Sequence, residues 1–421
     1  MRPLGTLVTL AVLLLTALPV QGASLPTAKP EEVGLSSAAL ARIGQTLRAD
    51  VEAGRIPGAV VVVARRGRIA YSETVGFRDK ASGAPMKPDT IFRIASMTKP
   101  MVSVAAMMLH EEGRLMLGDP VAKYIPAIGE MRVAVLDAGG QTLESTVPLT
   151  RPMTVQDLLR HTSGLTYGNR GTTAAHKLYP ESSSRASREI TSAEFIDRLA
   201  KAPLLFQPGT KWEYSLSTDV LGRVVEVASG KGLGQFLDER IFRPLKMADT
   251  GFVVPVAKRE RLAQALATDP DTGKTQELID VTVPPKFECG GGCAVSTAGD
   301  YVRFGQMLLN RGSLDGARLL GRKTVEYMTS DHLAPGVTGF SNYLPGAGYG
   351  FGLGFAVRRD AGVADSNGSA GDYNWGGAFG TYFWVDPKEQ LVVVSMTQAP
   401  GPIRVHYRHL FRALVYQSIN D

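Results

Sequence analysis

Ser96 and Lys99 stand three residues apart in "RIASMTKPM", residues 93 to 101. On a helix, that spacing puts a hydroxyl and an amine on one face and within reach of each other. The pair has the make-up of a nucleophile and its base. A helix-capping serine followed by an ordinary lysine gives the same pattern, and about one Ser-x-x-Lys match arises by chance in a chain of this composition. Pro100 narrows the choice. It has no N–H and disfavours helix in the residue before it, so the helix must begin only just upstream. Ser96 is thereby expected at a helix N-terminus, where free N–H groups and the helix dipole favour a developing negative charge.

Two further stretches have matching chemistry. "PGTKWEYSLSTDVLG", residues 208 to 222, delivers Tyr214 from a turn just ahead of a helix, where its phenol is able to share a proton with Lys99 and Ser96. A core or surface aromatic is the plainer reading of Tyr214. "NWGGAFGTYFWVDP", residues 374 to 387, is a glycine-rich entry to a strand, which lets backbone approach a ligand closely. A backbone N–H there would complete an oxyanion hole opposite that of Ser96; a structural bulge is the alternative.

Other patterns carry less. A literal Tyr-x-Asn at Tyr167-Gly168-Asn169 lacks the Pro-Gly-Thr turn and the following helix, so Tyr167 is expected to be a cleft wall. Of six histidines, His161 in "LLRHTSGL" is expected nearest the cleft, and none has a credible metal-ligand spacing. No Gly-x-Ser-x-Gly occurs, and "TGKT" at 272 to 275 has Thr268 where a phosphate loop needs glycine. Cys289 and Cys293 in "FECGGGCAV" are either a short-loop disulfide or two buried thiols. A zinc site is unsupported there, since no other Cys or His stands nearby.

The chain that must position these residues has 421 amino acids, 44% hydrophobic and 20% charged, an ordinary globular balance. Its net charge of +6 is dispersed, which argues against a nucleic-acid partner. Arg2, the apolar run Leu4 to Val20 and the small residues Gly22 and Ala23 read as a secretory signal over residues 1–23. No later segment is long and apolar enough for a span, so the expected location is periplasmic or secreted.

"LSSAALARIGQTLRADVEAG" reads as an amphipathic helix ending at Gly54, and "GAVVVVARRGRIAYSETVG" as a hairpin turning at Arg66-Gly67. The stretch from Ser96 to about Leu115 reads as a buried helix. Four more helices are expected between about 120 and 280, with a capping box at Thr191 and Glu194. A helix capped near Ser296 or Thr297 follows. Next come a glycine-rich strand in "GYGFGLGFAVRR", a hairpin at Asp386-Pro387 and a closing helix, "IRVHYRHLFRALVYQSI". This order predicts a discontinuous α/β domain, 24–90 and 285–421, with an antiparallel sheet flanked by helices, and an inserted, mainly helical domain, 91–284.

Taken in order, the three motifs resemble those of the serine β-lactamase and penicillin-binding superfamily, in its class C branch, and are most similar to the family VIII carboxylesterases. The likeness extends over essentially the whole chain after the signal. It implies a β-lactamase-like fold, Ser96 as nucleophile, Lys99 and Tyr214 as coupled base, and the N–H groups of Ser96 and Ala378 as oxyanion donors. It implies a small-molecule ester or lactam substrate, no metal or organic cofactor, and a monomer or simple oligomer. Two positions depart from the lactamase pattern. Leu216 stands where those enzymes have asparagine, and Trp375-Gly376-Gly377 where they have Lys-Thr-Gly. Leu216 cannot hydrogen-bond a substrate amide, and Trp375 cannot pair with a β-lactam carboxylate. Both changes favour esters with uncharged acyl groups. A β-lactamase or D-amino-acid peptidase acting on cell-wall-like amides is the alternative, and a non-catalytic binding protein of the same fold is a third reading.

Overall fold

A computed structural model describes residues 24–337 and 343–421. The expected signal segment lies outside them. The first helix, α1 (Ser37–Glu52), is capped by Ser36, whose hydroxyl accepts from Ala39 N–H. It ends two residues before Gly54, which turns the chain at φ +74°. Strands β1 (Gly58–Arg65) and β2 (Arg68–Asp79) form the expected hairpin. Arg66 and Gly67 both take positive φ, the backbone that a two-residue turn between right-twisted strands requires. A short β3 (Ala84–Pro85) extends the edge.

The buried helix is α2 (Thr98–Glu111), packed against α3 (Ser217–Ser229). The expected capping box is present: Thr191 accepts from Glu194 N–H while the Glu194 carboxylate accepts from Thr191 N–H. The mainly helical region also contains a hairpin missing from the sequence reading, Val133–Leu136 with Leu143–Val147. Its residues are mostly part-exposed, so no burial rhythm marked it in advance.

Next comes α4 (Ala298–Leu309), capped by Thr297. The glycine-rich segment expected as one strand is two, β4 (Tyr349–Phe351) and β5 (Ala356–Arg358). Gly354 at φ +98° lies in the bend between them. Then follow β6 (Tyr373–Gly376), β7 (Tyr382–Asp386), β8 (Leu391–Met396) and the closing helix α5 (Ile403–Tyr416). One eight-stranded antiparallel sheet runs β4-β5-β6-β7-β8-β1-β2-β3. The two ends of the chain thus meet where β1 pairs with β8.

Both faces of the sheet are covered, which is why β1 reads as an unbroken apolar run. Alternation still sorts its side chains. Val61 and Val63 join Trp384, Tyr407 and Phe411 under α1 and α5, while Val60 and Val62 join Phe383, Val392 and Val394. That second cluster runs on through α2, α3 and α4 without a break. The architecture is the expected antiparallel sheet flanked by helices, with a helical region inserted between its strands.

Candidate active site

Residues 91 to 109 are buried with one break: Ser96 is partly exposed. It lies in a single tight turn, Ala95–Met97, that runs directly into α2. The turn is pinned from several sides. Tyr301 donates to Met97 O at 2.8 Å, and Thr98 Oγ1 donates to Ala95 O at 2.7 Å while accepting from Ala294 N–H at 3.1 Å. Ala95 holds φ +44°, a strained value for a residue with a Cβ. Ser96 therefore sits ahead of the helix, as Pro100 required.

Lys99 is buried one turn on. Its Nζ is 3.4 Å from Ser96 Oγ, 3.1 Å from Tyr167 Oη and 2.6 Å from the Gly291 carbonyl oxygen. The ammonium also lies 4.5 Å from the centroid of the Tyr214 ring, a cation–π distance. The two tyrosines thus differ from expectation. Tyr167, expected as a cleft wall, is buried, and its hydroxyl oxygen accepts from Lys99 Nζ. Tyr214 offers Lys99 its ring face, and its hydroxyl accepts from Trp375 Nε1–H at 3.4 Å. Burial, helped by the charges of Asp219 and Tyr214, pushes the Tyr167 phenol well above its ordinary range, so it stays protonated.

Ser96 and Tyr214 open on a cleft of about 280 Å³, whose far wall includes Trp375, Gly376 and Ala378. β6 reaches the serine because its turn touches the segment before Ser96. Thr381 Oγ1 donates to Ile94 O at 3.2 Å. A Cβ on Gly377 would meet that same Ile94 oxygen at 2.5 Å, so only glycine permits this approach. Gly377 supports the wall without lining it.

Leu216 is a correction. It was expected to face substrate, yet it is fully buried at the start of α3 and packs in the larger apolar core. His161 lies behind Tyr214, with ring centroids 4.9 Å apart and Ser215 Oγ at 3.1 Å from its Nδ1. Burial, with Lys99 and Arg170 nearby, holds it well below the usual histidine range, so it is neutral. The histidine that lines the cleft is His409.

The sequence reading missed the basic side of the cleft. Arg404, Arg408 and Arg412 recur every four residues along α5 and all line it. That spacing was visible as one face of the closing helix. Arg412 is paired with buried Asp372 at 3.0 Å, and Asp372 also pairs with Arg358 at 2.8 Å. Arg404 and Arg408 have no carboxylate partner among the described residues. Arg404 donates to the Pro400 and Gly401 carbonyls. Arg408 donates to Gly377 O at 3.3 Å, while its buried Nε has no partner. Burial holds both guanidiniums below their ordinary range.

Cys289 and Cys293 form a disulfide around the three glycines between them. Among the described residues no cluster of His, Cys, Asp or Glu is placed to hold a metal ion, and no helix is long and apolar enough to cross a membrane.

Known proteins resemble this chain in sequence and in overall fold. The Beta-lactamase family model matches residues 43–417. Esterase EstB of Burkholderia gladioli is 33% identical over 399 residues, which cover 90% of this chain and 97% of that protein. Protein Rv1367c of Mycobacterium tuberculosis is 36% identical over 362 residues, 84% of this chain and 88% of that one. Among solved structures, EstCE1, a hydrolase with promiscuous acyltransferase activity, superposes with a TM-score of 0.74 at 28% identity, covering 90% of this chain and 99% of its own. Simvastatin synthase (LovD) from Aspergillus terreus superposes with a TM-score of 0.75 at 25% identity, covering 90% and 98%. The chain belongs to the beta-lactamase family, within the serine β-lactamase and penicillin-binding superfamily, and is a hydrolase or acyltransferase-type enzyme of that fold, similar to family VIII esterases.

Proposed function

We propose that this enzyme cleaves carboxylic esters through an acyl-serine intermediate on Ser96. The observation that carries the reading is a single partly exposed hydroxyl in an otherwise buried stretch, 3.4 Å from the buried Lys99 amine. Lys99 takes the Ser96 proton as the hydroxyl attacks the ester carbonyl. The N–H groups of Ser96 and Ala378, on facing walls, hold the oxyanion. Tyr214, a residue of the cleft wall, returns a proton to the departing alkoxide. Tyr167 holds Lys99 in place. Water then releases the acid, with Lys99 and Tyr214 acting in reverse. An alcohol in place of water would give acyl transfer, as in the activity named for EstCE1. The enzyme works outside the cytoplasm in this reading, which the leader-like residues 1–23 and the disulfide both support.

A second reading, hydrolysis of β-lactams or D-amino-acid peptides, draws on Arg404 and Arg408. Two guanidiniums without acid partners suit a carboxylate-bearing substrate, and they offset the loss of a motif lysine at Trp375. Initial rates on p-nitrophenyl esters and a chromogenic cephalosporin, for wild type and Ser96→Ala, separate the two. Ester turnover at least 100-fold above cephalosporin turnover by kcat/KM, abolished in Ser96→Ala, supports the esterase. The reverse ratio selects the second reading. Ester turnover retained in Ser96→Ala removes both.

A further inference from the structure

The Ser96 and Lys99 chemistry needs more than proximity. A neutral lysine amine has two N–H bonds and one lone pair, and only the lone pair can take the serine proton. Rotation about the last side-chain bond would scatter those three directions. Lys99 Nζ has three neighbours: Ser96 Oγ, Tyr167 Oη and the Gly291 carbonyl oxygen. The carbonyl is an acceptor only, so at 2.6 Å it must receive an N–H. With the second N–H given to Tyr167 Oη, the lone pair is left facing Ser96. Gly291 O thus sets the orientation of the base.

That carbonyl belongs to a segment with little stiffness of its own, Gly290-Gly291-Gly292. Two devices hold it. The Cys289–Cys293 disulfide closes its ends. In its middle, Gly291 N–H donates to Asp219 Oδ1 at 2.9 Å. Asp219 lies in the first turn of α3 and is buried. Ser183 Oγ donates to the same Oδ1 at 2.6 Å, and Asp219 Oδ2 has no hydrogen-bond partner among the described residues. The carboxylate packs so tightly on the loop that a Cβ at Gly291 would meet Oδ2 at 2.3 Å. A buried carboxylate with an orphan oxygen is costly, and no residue among those described pairs with it as a salt bridge. Burial raises its carboxyl above the ordinary range, and the Lys99 charge draws it partly back.

We propose that Asp219 is a positioning residue for Lys99, fixing the glycine loop so that the Gly291 carbonyl orients the amine toward Ser96. The inference rests on the esterase reading, since it assigns the geometry of that same base. Asp219 touches no substrate and transfers no proton. Its role resembles that of an acid that orients a catalytic imidazole, with a backbone carbonyl as the intermediary.

Two substitutions separate positioning from bulk. Asp219→Asn keeps an oxygen able to accept from Gly291 N–H; Asp219→Ala does not. Steady-state kinetics on p-nitrophenyl butyrate should give a kcat about 10²-fold lower in Asp219→Ala, with KM within about threefold of wild type. Asp219→Asn should retain at least about a third of the wild-type kcat. Gly291→Ala keeps Asp219 in place but forces the loop off it, and should show the same loss in kcat alone. This variant decides the matter if Asp219→Ala fails to fold by circular dichroism. A kcat within threefold of wild type in Asp219→Ala or Gly291→Ala overturns the proposal. So does Asp219→Asn falling as far as Asp219→Ala. A fluorophosphonate probe applied to wild type and Ser96→Ala controls the premise. Without labelling of wild type at Ser96 the esterase reading itself fails, and this inference with it. With labelling, any failure belongs to Asp219 alone.

Discussion

On one wall of the cleft a lysine is buried against a serine, a tyrosine and a peptide carbonyl; on the other, two arginines sit part-buried without an ion-pair partner among the described residues. The first wall keeps its amine among uncharged, rigid partners. That suits a group that must give up and regain a proton without rearrangement. The second wall leaves donor capacity unspent. Arg408 has an unpartnered Nε beside the cleft, and Arg404 is bonded only to carbonyls. That suits a surface that waits for an anion from outside. In the proposed reading, proton transfer belongs to α2 and its neighbours and charge recognition to α5, with the turn after β6 serving the reaction through Ala378, so substitutions on α2 and on α5 should fail separately.

The largest break belongs to the reactive wall. Ser96→Ala should reduce ester turnover at least about 10⁴-fold with no change in melting temperature, checked by initial rates and a thermal melt. On the other side, Asp372→Ala should leave Arg358 and Arg412 as uncompensated buried charges. A loss of about 3–5 kcal/mol in urea unfolding is expected. An intermediate effect should divide the tyrosines. Tyr214→Phe should cost about 10²-fold in kcat on alkyl esters, whose alkoxides need a proton, and much less on p-nitrophenyl esters, whose leaving group does not. Tyr167→Phe should slow both substrate classes alike, because it loosens Lys99. Equal behaviour of the two variants would break the division of roles. The smallest effect should be one of selectivity. Arg408→Ala should lower kcat/KM for a carboxylate-bearing ester about tenfold relative to its neutral methyl ester. An unchanged ratio would show that the basic wall does not read charge.

The same contrast explains what was legible in the sequence. Ser96 and Lys99 were legible because their relation is local: one helical turn, with Pro100 marking where the helix begins. The hairpins at Arg66-Gly67 and Asp386-Pro387 and the cap at Thr297 were legible for the same reason. Tyr167 was not, because it reaches Lys99 across the fold, 68 residues along the chain. Its Tyr-x-Asn pattern had no neighbouring signal to raise it above chance. Gly291 and Asp219 were invisible as partners, since a carbonyl has no residue signature and a lone aspartate early in a helix looks like ordinary helix chemistry. Leu216 misled in the other direction. Its place in a motif suggested exposure to substrate, but an apolar side chain at the start of α3 is better buried, and the core takes it. The arginine stripe of α5 was readable as a face, though which way the face pointed depended on the sheet beneath it.

The central claim is that Ser96 carries the acyl group. Intact-mass spectrometry of enzyme quenched during turnover of a slow ester tests it directly, with peptide mapping of the adduct. The account predicts one acyl group per chain, located at Ser96 in "IASMTK" and absent from Ser96→Ala. An adduct on another residue, or full turnover by Ser96→Ala, would contradict it.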